Sequence, residues 1–366
     1  MKESALMEMT IVVPTKNRPH YVKRLLQYYL DEDFIGKIII IDSSDNKIAN
    51  KIRKHIHDIG RVNFQYVYSS GLPTMVIKEN LSYIKTKYVS FLGDDDYIIP
   101  KGARMSIDYL NRNPEIVACR GEGFTITDSS ISSEYISSFT SFNRLEENSS
   151  DRILEHFANY STPFFHVCRS EMFIAAYSNA PSMLEMNNGY DRLIGDELIV
   201  SGLMLTYGKF ASIEGLHLVR TNNVERVESR DSWYYDLDNE GRDFAIKDFT
   251  KKIATSICEQ DQISFLEAEK VALSVQNNPV FTTKYNSDLT IQIKGFIKPI
   301  LQSLNLLEFC VKLKSNFFII KTKLINHIFV SKNKRLGLKN ILNPDNFYHN
   351  EFMPVYKSLT DYDSKK

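Results

Sequence analysis

The chain has 366 residues, of which 43% are hydrophobic and 25% charged, a composition typical of a globular protein with room for two domains. Lysine plus arginine and aspartate plus glutamate both total 45, and this zero net charge argues against a general nucleic-acid-binding protein. The four cysteines include no CxxC pair, so they suggest neither a zinc cluster nor a disulfide framework. No signal-peptide pattern precedes the first apolar run, which favours a cytoplasmic protein.

The chain begins with apolar runs that alternate with helical patterns. TIVVP (Thr10–Pro14) and KIIIID (Lys37–Asp42) are short, β-branched and followed by polar turns, as expected for strands buried on both faces. After Pro19, apolar residues recur at helical spacing and predict a helix between these strands. This first unit is therefore predicted to be β-α-β.

The same alternation continues through residue 92. Helical patterns near 48–57 and 74–84 are separated by a predicted strand at 63–68, and a further strand follows at Tyr88–Leu92. This order predicts a doubly wound, mostly parallel α/β sheet. The polar stretches PTKNR, DSSDN and GDDD each follow a strand, so we expect them to meet where ligands of such sheets bind.

The stretch YVSFLGDDDYIIP places Asp94, Asp95 and Asp96 directly after a predicted buried strand. Three adjacent carboxylates repel one another unless a cation lies among them. Mg²⁺ and Mn²⁺ prefer carboxylate oxygens and keep positions open for phosphate, so a divalent metal is one candidate. An acidic turn with a capping aspartate is the alternative.

The remaining chain is predicted to hold fewer strands. Expected elements are a helix near 103–111, a strand near 116–120, a serine-rich loop or lid from Ser129 to Ser150, a strand at 161–169 and a helix at 191–207. The pattern then becomes helical. We therefore predict one domain over residues 1–230 and a basic, mainly helical region over 231–366.

The sequence resembles the glycosyltransferase family 2-like enzymes of the GT-A fold, which transfer a sugar from a nucleotide diphosphate donor. The resemblance rests on TIVVPTKNRPHYVKRLL, IIIIDSSDN and YVSFLGDDDYIIP, and it covers about residues 10–220. In that family, the loop after the first strand and the acid after the second hold the base and ribose. The residues that this implies here are Pro14, Thr15, Asn17, Arg18, Asp42 and Ser43.

The family's DxD aspartates bind the diphosphate through a divalent metal, which implies Mn²⁺ or Mg²⁺ at Asp94, Asp95 and Asp96. The common form is DxDD, and aligning it here puts Gly93 at the first aspartate and matches Asp95 and Asp96 to the later acids. A literal DxD instead selects Asp94 and Asp96. Both assignments stay open, and Asp94 is also a candidate for contact with the donor.

Inverting members of the family carry an acidic pair at the start of a helix, which supplies the general base. Asp196 and Glu197, in YDRLIGDELIVSGLMLTYGKF, match that place in reversed order, so either is a candidate. A carboxylate there would take the proton from an acceptor hydroxyl as its oxygen attacks C1 of the sugar. The alternative is that both acids only favour the helix dipole.

Three further residues are candidates from the later part of the resemblance. Some GT-A enzymes use a histidine in the region of GLHLVRTNNVERVESR as a metal ligand, which implies His217, although a core histidine is the alternative. Arg220 is a candidate for stabilising the leaving diphosphate, with solvated salt bridging as the alternative. His166, in FFHVCR, is a candidate for the acceptor site.

The segment from Ile291 to Asn340 contains ten basic residues and a single acid, Glu308, interleaved with aromatic and aliphatic residues. Basic amphipathic helices can lie on anionic membranes, which predicts peripheral contact with the inner leaflet. Packed helices with solvated faces, or an element for homo-oligomer formation, are the alternatives.

The leading hypothesis is a metal-dependent, inverting glycosyltransferase of bacterial surface polysaccharide or glycoconjugate synthesis, with a glycan or lipid-linked acceptor. A sugar-phosphate nucleotidyltransferase is the second hypothesis, but PTKNRPHYV lacks the glycines of that class's phosphate loop. A catalytically inactive GT-A scaffold or binding protein is the third, since such a protein can keep its carboxylates.

Overall fold

The computed structural model describes residues 4–127, 135–139, 142–182, 191–222, 239–282 and 334–363. The described residues form a sheet of ten strands: β1 (Met9–Thr15), β2 (Lys37–Asp42), β3 (Phe64–Tyr68), β4 (Tyr88–Phe91), β5 (Tyr97–Ile98), β6 (Ile116–Thr127), β7 (Tyr135–Phe139), β8 (Val167–Arg169), β9 (Lys209–Asn222) and β10 (Lys334–Gly337).

Helices flank the strands in chain order. They are α1 (Ser4–Met7), α2 (Pro19–Asp31), α3 (Asn46–Ile59), α4 (Pro73–Glu79), α5 (Pro100–Arg112), α6 (Ser149–Ala158), α7 (Ser170–Ser178), α8 (Ile199–Thr206), α9 (Asn239–Asp261), α10 (Phe265–Ser274), α11 (Pro279–Thr282), α12 (Leu338–Ile341) and α13 (His349–Asp363). A π-helix, Leu193–Leu198, leads directly into α8.

The sheet has two halves with different strand directions. β3, β2, β1 and β4 are mutually parallel, and β1 lies between β2 and β4. Beyond β4 the order continues through β8, β6, β7 and β10 with antiparallel pairing, while β9 runs parallel to β6. The predicted α/β fold class is confirmed, and its parallel pairing lies mainly in the first half.

The sheet separates two hydrophobic cores. In β1, Val12 faces one core while Ile11 and Val13 face the other, as the alternation of strand side chains requires. Helices α2, α3, α5 and α13 cover the face with Ile11 and Val13, and α4 and α6–α10 cover the opposite face. Both faces are thus shielded, which explains why β1 and β2 are continuously apolar.

The chain after residue 230 contributes to both cores. α9 and α10 pack into the core that contains Val12, whereas α12 and α13 pack into the other. β10 extends the sheet by pairing with β7. The described part of the predicted C-terminal region is therefore built onto the same sheet as the first 230 residues.

The prediction of a loop from Ser129 to Ser150 is wrong in the middle of this segment, which contains a strand, and at its end, where a helix begins. β7 lies inside it and pairs with β6 and β10, and α6 begins at Ser149. Short strands of serine and aromatic residues give little periodic signal, so the pairing comes from the neighbouring strands. Residues 128–134 and 140–141 lie outside the described part of the chain.

Candidate active site

The loops after β1, β2 and β4 meet at one edge of the sheet. The chain moves outward from β1 to β2 and β3 and then returns to place β4 on the other side of β1. Ligands of open α/β sheets bind at such a switch point, beyond the carboxyl ends of the strands. Here Ser43 donates its backbone N–H to the Thr15 carbonyl at 2.9 Å, and the Thr15 hydroxyl donates to Asp94 at 2.6 Å.

Arginines supply the positive charge beside the three aspartates. Arg18 donates from Nη1 to Asp94 at 2.6 Å and from Nη2 to Asp95 at 2.7 Å, so one guanidinium joins two carboxylates. On the other side, the Arg220 Nε lies 3.5 Å from Asp96. These pairs offset the repulsion that three adjacent carboxylates would otherwise create.

The pKa values in this cluster show opposing effects. Burial would lower the pKa of Arg18, but the charges of Asp94 and Asp95 raise it above its usual value. Burial raises the pKa of Asp94 and of Asp96, while Arg18 and Arg220 respectively oppose that rise. Each buried carboxylate therefore depends on its arginine to stay ionised.

The acid triplet, as arranged, does not fit a metal ion. Asp94 uses both oxygens to accept from Arg18 and Thr15, and Asp96 accepts the Thr221 backbone N–H at 2.9 Å. In the described ranges, no group of three or more His, Cys, Asp or Glu side chains could hold a metal. The cation predicted from the sequence is thus present as arginine side chains.

The loop after β1 reaches the loop after β2 through Asn17. Its backbone has a positive φ of 58°, which asparagine tolerates, and its N–H donates to the Ser44 hydroxyl at 2.7 Å. Its side chain accepts from the Asp45 backbone N–H at 3.0 Å. This turn fixes the chain immediately before Arg18 and so sets the direction of the guanidinium.

The other predicted nucleotide-binding residues lie beside this turn. Asp42 is fully buried and accepts from the Ser44 N–H at 2.8 Å and the Tyr66 hydroxyl at 3.0 Å. Ser43 donates its hydroxyl to the Ser69 carbonyl at 2.7 Å, and Pro14 lies inside β1. The structure gathers the predicted residues, although the Asp42 carboxylate already has two protein partners.

The predicted acidic pair lies on the π-helix. Asp191 precedes this helix, accepts the Ile194 backbone N–H at 3.2 Å and is paired with Arg242 of α9 at 3.0 Å. π-Helical turns occur frequently at functional sites because they displace side chains from ordinary helical positions. The turn that carries Asp196 and Glu197 is therefore held at its start by a buried ion pair with the C-terminal region.

Asp196 and Glu197 have different partners. The Thr74 hydroxyl donates to the Asp196 carbonyl at 2.8 Å, and the Thr74 N–H lies 3.4 Å from its carboxylate. Glu197 is half-buried and accepts from the Tyr160 hydroxyl at 2.7 Å. Thr74 lies in the first turn of α4, the helix that follows β3, so Asp196 packs against the parallel half of the sheet.

His217 is a core residue, which corrects its prediction as a metal ligand. It lies fully buried in β9, where Nε2 is 3.0 Å from the Phe165 carbonyl and Nδ1 is 3.4 Å from the Ser106 hydroxyl. Burial lowers its pKa to about 4, so the ring is neutral near pH 7. Both nitrogens have protein partners, and neither is left for a metal.

Sequence reasoning missed several partners of the predicted residues. Thr221 follows Arg220 directly and holds Asp95 and Asp96, so its position beside a candidate was a usable signal. Tyr160 and Thr74 belong to no motif and are joined to the acidic pair only by folding. The Asp191 contact with the start of the next helix could have been predicted from DRLIG as a capping pattern.

No family model matches the chain, and no curated protein matches it either. Among solved structures, S. aureus TarS 1–349 is 14% identical over 77% of this chain and 72% of that chain, with a TM-score of 0.44. TarS 1–349 in complex with UDP is 13% identical over 74% and 71%, again at 0.44. The mannosyltransferase PcManGT from Pyrobaculum calidifontis, in complex with GDP-Man and Mn²⁺, is 10% identical over 76% and 73%, at 0.38.

These similarities are too distant to assign a function to individual residues, so function is inferred from the site itself. Of the helices that the structure describes, none combines the length and the apolar character needed to cross a bilayer.

Proposed function

We propose that this protein is a glycosyltransferase that moves a sugar from a nucleotide diphosphate donor to an acceptor hydroxyl, with inversion at the anomeric carbon. We place it in the synthesis of a bacterial surface polysaccharide or glycoconjugate. The observation that carries the proposal is the joining of Thr15 and Arg18, after β1, to Asp94 and Asp95, after β4. This cluster lies at the switch point of the sheet, where nucleotides bind in folds of this class.

The arginines are suited to a diphosphate. The Nε of Arg18 is buried without a hydrogen-bond acceptor among the described residues, and the Nε of Arg220 has only its 3.5 Å ion-pair contact with Asp96. A phosphate oxygen would give each of these atoms a charge-assisted hydrogen bond, and such bonds are strong. We therefore assign the diphosphate to the space beside these two side chains, with the nucleoside toward Asn17, Asp42 and Ser43.

Glu197 is the proposed general base. Its Oε1 is oriented by Tyr160, and Oε2 has no partner among the described residues. In the proposed reaction, Glu197 takes the proton of the acceptor hydroxyl while the acceptor oxygen forms a bond to C1. The bond from C1 to the diphosphate oxygen breaks, and Arg18 and Arg220 stabilise the negative charge that this oxygen gains. Asp196 positions the turn through Thr74.

Two sequence predictions remain to be tested beside this mechanism. Dependence on Mn²⁺ or Mg²⁺ stays a prediction. A metal at the acid triplet would have to replace contacts that Arg18, Thr15 and the Thr221 backbone make with the carboxylates. Contact of the basic segment with the inner leaflet also stays a prediction, since most of residues 291–340 lie outside the described part of the chain. Flotation with anionic liposomes tests it, and equal flotation of a chain truncated after Lys294 would contradict it.

The proposed function is tested by thermal denaturation of the full chain with UDP or GDP, in EDTA and in Mn²⁺. We expect at least one nucleotide diphosphate to raise the melting temperature of the wild type and to raise that of Arg18→Met less. Nucleotide-sugar hydrolysis by the same samples then identifies the donor. If neither nucleotide shifts the melting temperature in either condition, the proposal is wrong.

A further inference from the structure

Arg120 of β6 is buried but has no carboxylate partner among the described residues. Only 3% of the residue is exposed, and no described residue accepts a hydrogen bond from its guanidinium. The group instead lies over the rings of Phe139 and Phe142, at 5.1 and 5.7 Å from their centroids. A buried cation with only aromatic contacts is costly, because it has lost its hydration without gaining an ion pair.

Two other buried arginines, Arg144 and Arg152, and the half-buried Arg169 donate to backbone carbonyls. Arg152 donates to four carbonyl oxygens, Arg169 to three and Arg144 to two. Such arginines stabilise the chain segments whose carbonyls they bind. Arg120 makes no such contact with the described residues, so a structural role does not explain why a guanidinium lies there.

The charge of a second arginine, Arg220, acts on Arg120. Burial lowers the pKa of Arg120 to about 10, and the charge of Arg220 contributes to that decrease. The Arg220 side chain is 39% exposed and lies over the Phe165 ring at 4.7 Å. Asp96 faces Arg220, but none of the described carboxylates faces Arg120. Positive charge therefore exceeds negative charge around Arg120, which favours binding of an anion.

Neutral histidines extend this cluster around Phe142. The ring of His166 is 4.9 Å and that of His156 is 5.8 Å from the Phe142 ring. Both nitrogens of His156 and Nε2 of His166 are buried without a partner among the described residues. Burial lowers the pKa of both rings, so each is neutral. The single N–H of His166 is on Nδ1 and donates to the Pro163 carbonyl at 2.7 Å, so of the two rings only His156 has an N–H without an acceptor among the described residues. As far as the structure describes it, the group offers the Arg120 guanidinium and one His156 N–H as donors and contains no acid.

The cluster also connects to the proposed general base. Tyr160 packs 5.1 Å from the His156 ring and donates its hydroxyl to Glu197 at 2.7 Å. Arg120 belongs to β6, in the mixed half of the sheet, whereas the nucleotide loops follow strands of the parallel half. A ligand at Arg120 would therefore approach from the side of the base, where the acceptor must lie.

We infer that Arg120 binds a phosphate group carried by the acceptor. This inference rests on the proposed function, because it takes the position of the base from it. A guanidinium matches two phosphate oxygens at once, and a phosphate can accept further bonds from neutral donors around it. The predicted acceptor thus carries a phosphate group and is not a neutral sugar.

The test is calorimetric titration of inorganic phosphate into the full chain, saturated with whichever of UDP or GDP raises its melting temperature. Saturation fills the donor phosphate positions, so the remaining heat reports a second anion site. We expect the wild type to bind phosphate, Arg120→Met to weaken that binding about tenfold or more, and Arg120→Lys to weaken it less. The nucleotide shift should be unchanged in Arg120→Met.

Stability separates a ligand-binding role from a structural one. Arg120→Met removes an unpaired buried charge, so its melting temperature should equal or exceed that of the wild type. Arg144→Met is the matched control. Arg144 also lies over the Phe142 ring but donates to two carbonyl oxygens. The variant should therefore have a lower melting temperature than the wild type and the same affinity for phosphate.

Several results would overturn the inference. These are absence of phosphate binding to the nucleotide-bound wild type, equal binding by Arg120→Met, or failure of Arg120→Met to fold, which would make the guanidinium structural. Nucleotide binding without phosphate binding refutes only the phosphate site. Absence of nucleotide binding refutes the proposed function and, with it, the assignment to an acceptor.

Discussion

Arg18 is half-buried and Arg120 is buried, and their surroundings are opposite. Arg18, beside the parallel strands, holds two carboxylates at 2.6 and 2.7 Å. Arg120, in the mixed half, holds none of the described carboxylates and lies among aromatic rings. The first arrangement stabilises the folded chain without a ligand, whereas the second leaves a charge for a ligand to neutralise. Burial of a charge therefore does not by itself reveal its role; its partners do.

The acidic pair should give the largest effect and tests whether catalysis can be separated from donor binding. Glu197→Gln keeps the Tyr160 contact but cannot accept a proton, so we expect turnover to fall by about 10²–10⁴-fold. Donor binding should not change, because the nucleotide contacts lie on the parallel half. Steady-state kinetics with nucleotide thermal shifts measure both.

Asp196→Asn is the matched comparison for Glu197→Gln. Its carbonyl contact with Thr74 is kept, so we expect a smaller loss of turnover than in Glu197→Gln. A larger loss in Asp196→Asn would move the base assignment to Asp196, and full activity of both variants would remove it from the pair.

Arg18→Met tests the ion pairs that Arg18 makes with Asp94 and Asp95. The variant leaves Asp94 and Asp95 without their shared cation, and breaking a buried pair costs about 3 kcal/mol of unfolding free energy. Burial already raises the pKa of Asp94, and loss of Arg18 removes the charge that opposes this rise. A protonated Asp94 no longer needs a cation, so the destabilisation should be larger at pH 8 than at pH 5.5.

Urea denaturation of the wild type and Arg18→Met at both pH values measures this difference. Arg152→Met is a useful control, because its partners are carbonyl groups that do not titrate. Equal destabilisation of Arg18→Met at pH 5.5 and pH 8 would show that Asp94 is not the group that responds.

Arg242→Met tests whether the C-terminal region supports the π-helix that carries the acidic pair. Loss of its ion pair with Asp191 should loosen the start of the π-helix, and we expect turnover to fall about tenfold, as for loss of one charge-assisted hydrogen bond. The Michaelis constant for the donor should stay constant. Arg242→Lys should recover part of the rate; an unchanged rate in Arg242→Met would mean that the ion pair only stabilises the fold.

Tyr160→Phe should have the smallest effect. It removes one hydrogen bond to Glu197 and keeps the aromatic packing, so we expect a loss of turnover of about fivefold, or roughly 1 kcal/mol. Phosphate affinity at Arg120 should not change. A parallel loss of phosphate binding would show that Tyr160 contacts the acceptor directly.

The parallel half of the fold was predictable because its strands are buried on both faces and their loops are polar. β1, β2 and β4 lie close to their predicted positions, and the polar loops meet as expected. The mixed half was not predictable from the sequence, because β7 and β10 are short and depend on partners distant in sequence.

The same distinction applies to the candidate site. The motif at Asp94–Asp96 was visible in the sequence, but the identity of its cation was not, because Arg18 lies 76 positions away from Asp94 and approaches only on folding. Sequence favoured a metal at those oxygens. In the structure these oxygens accept hydrogen bonds from guanidinium groups and backbone N–H groups, and His217 lies in the core.

The simultaneous pairing of Arg18 with Asp94 and Asp95 has a consequence for donor binding. A phosphate that recruits this guanidinium competes with two carboxylates, so the measured affinity is the difference between two sets of bonds. A carboxylate released in a buried site tends to take up a proton. Donor binding would then be coupled to proton uptake, and the affinity for the nucleotide would increase as the pH falls toward the pKa of Asp94.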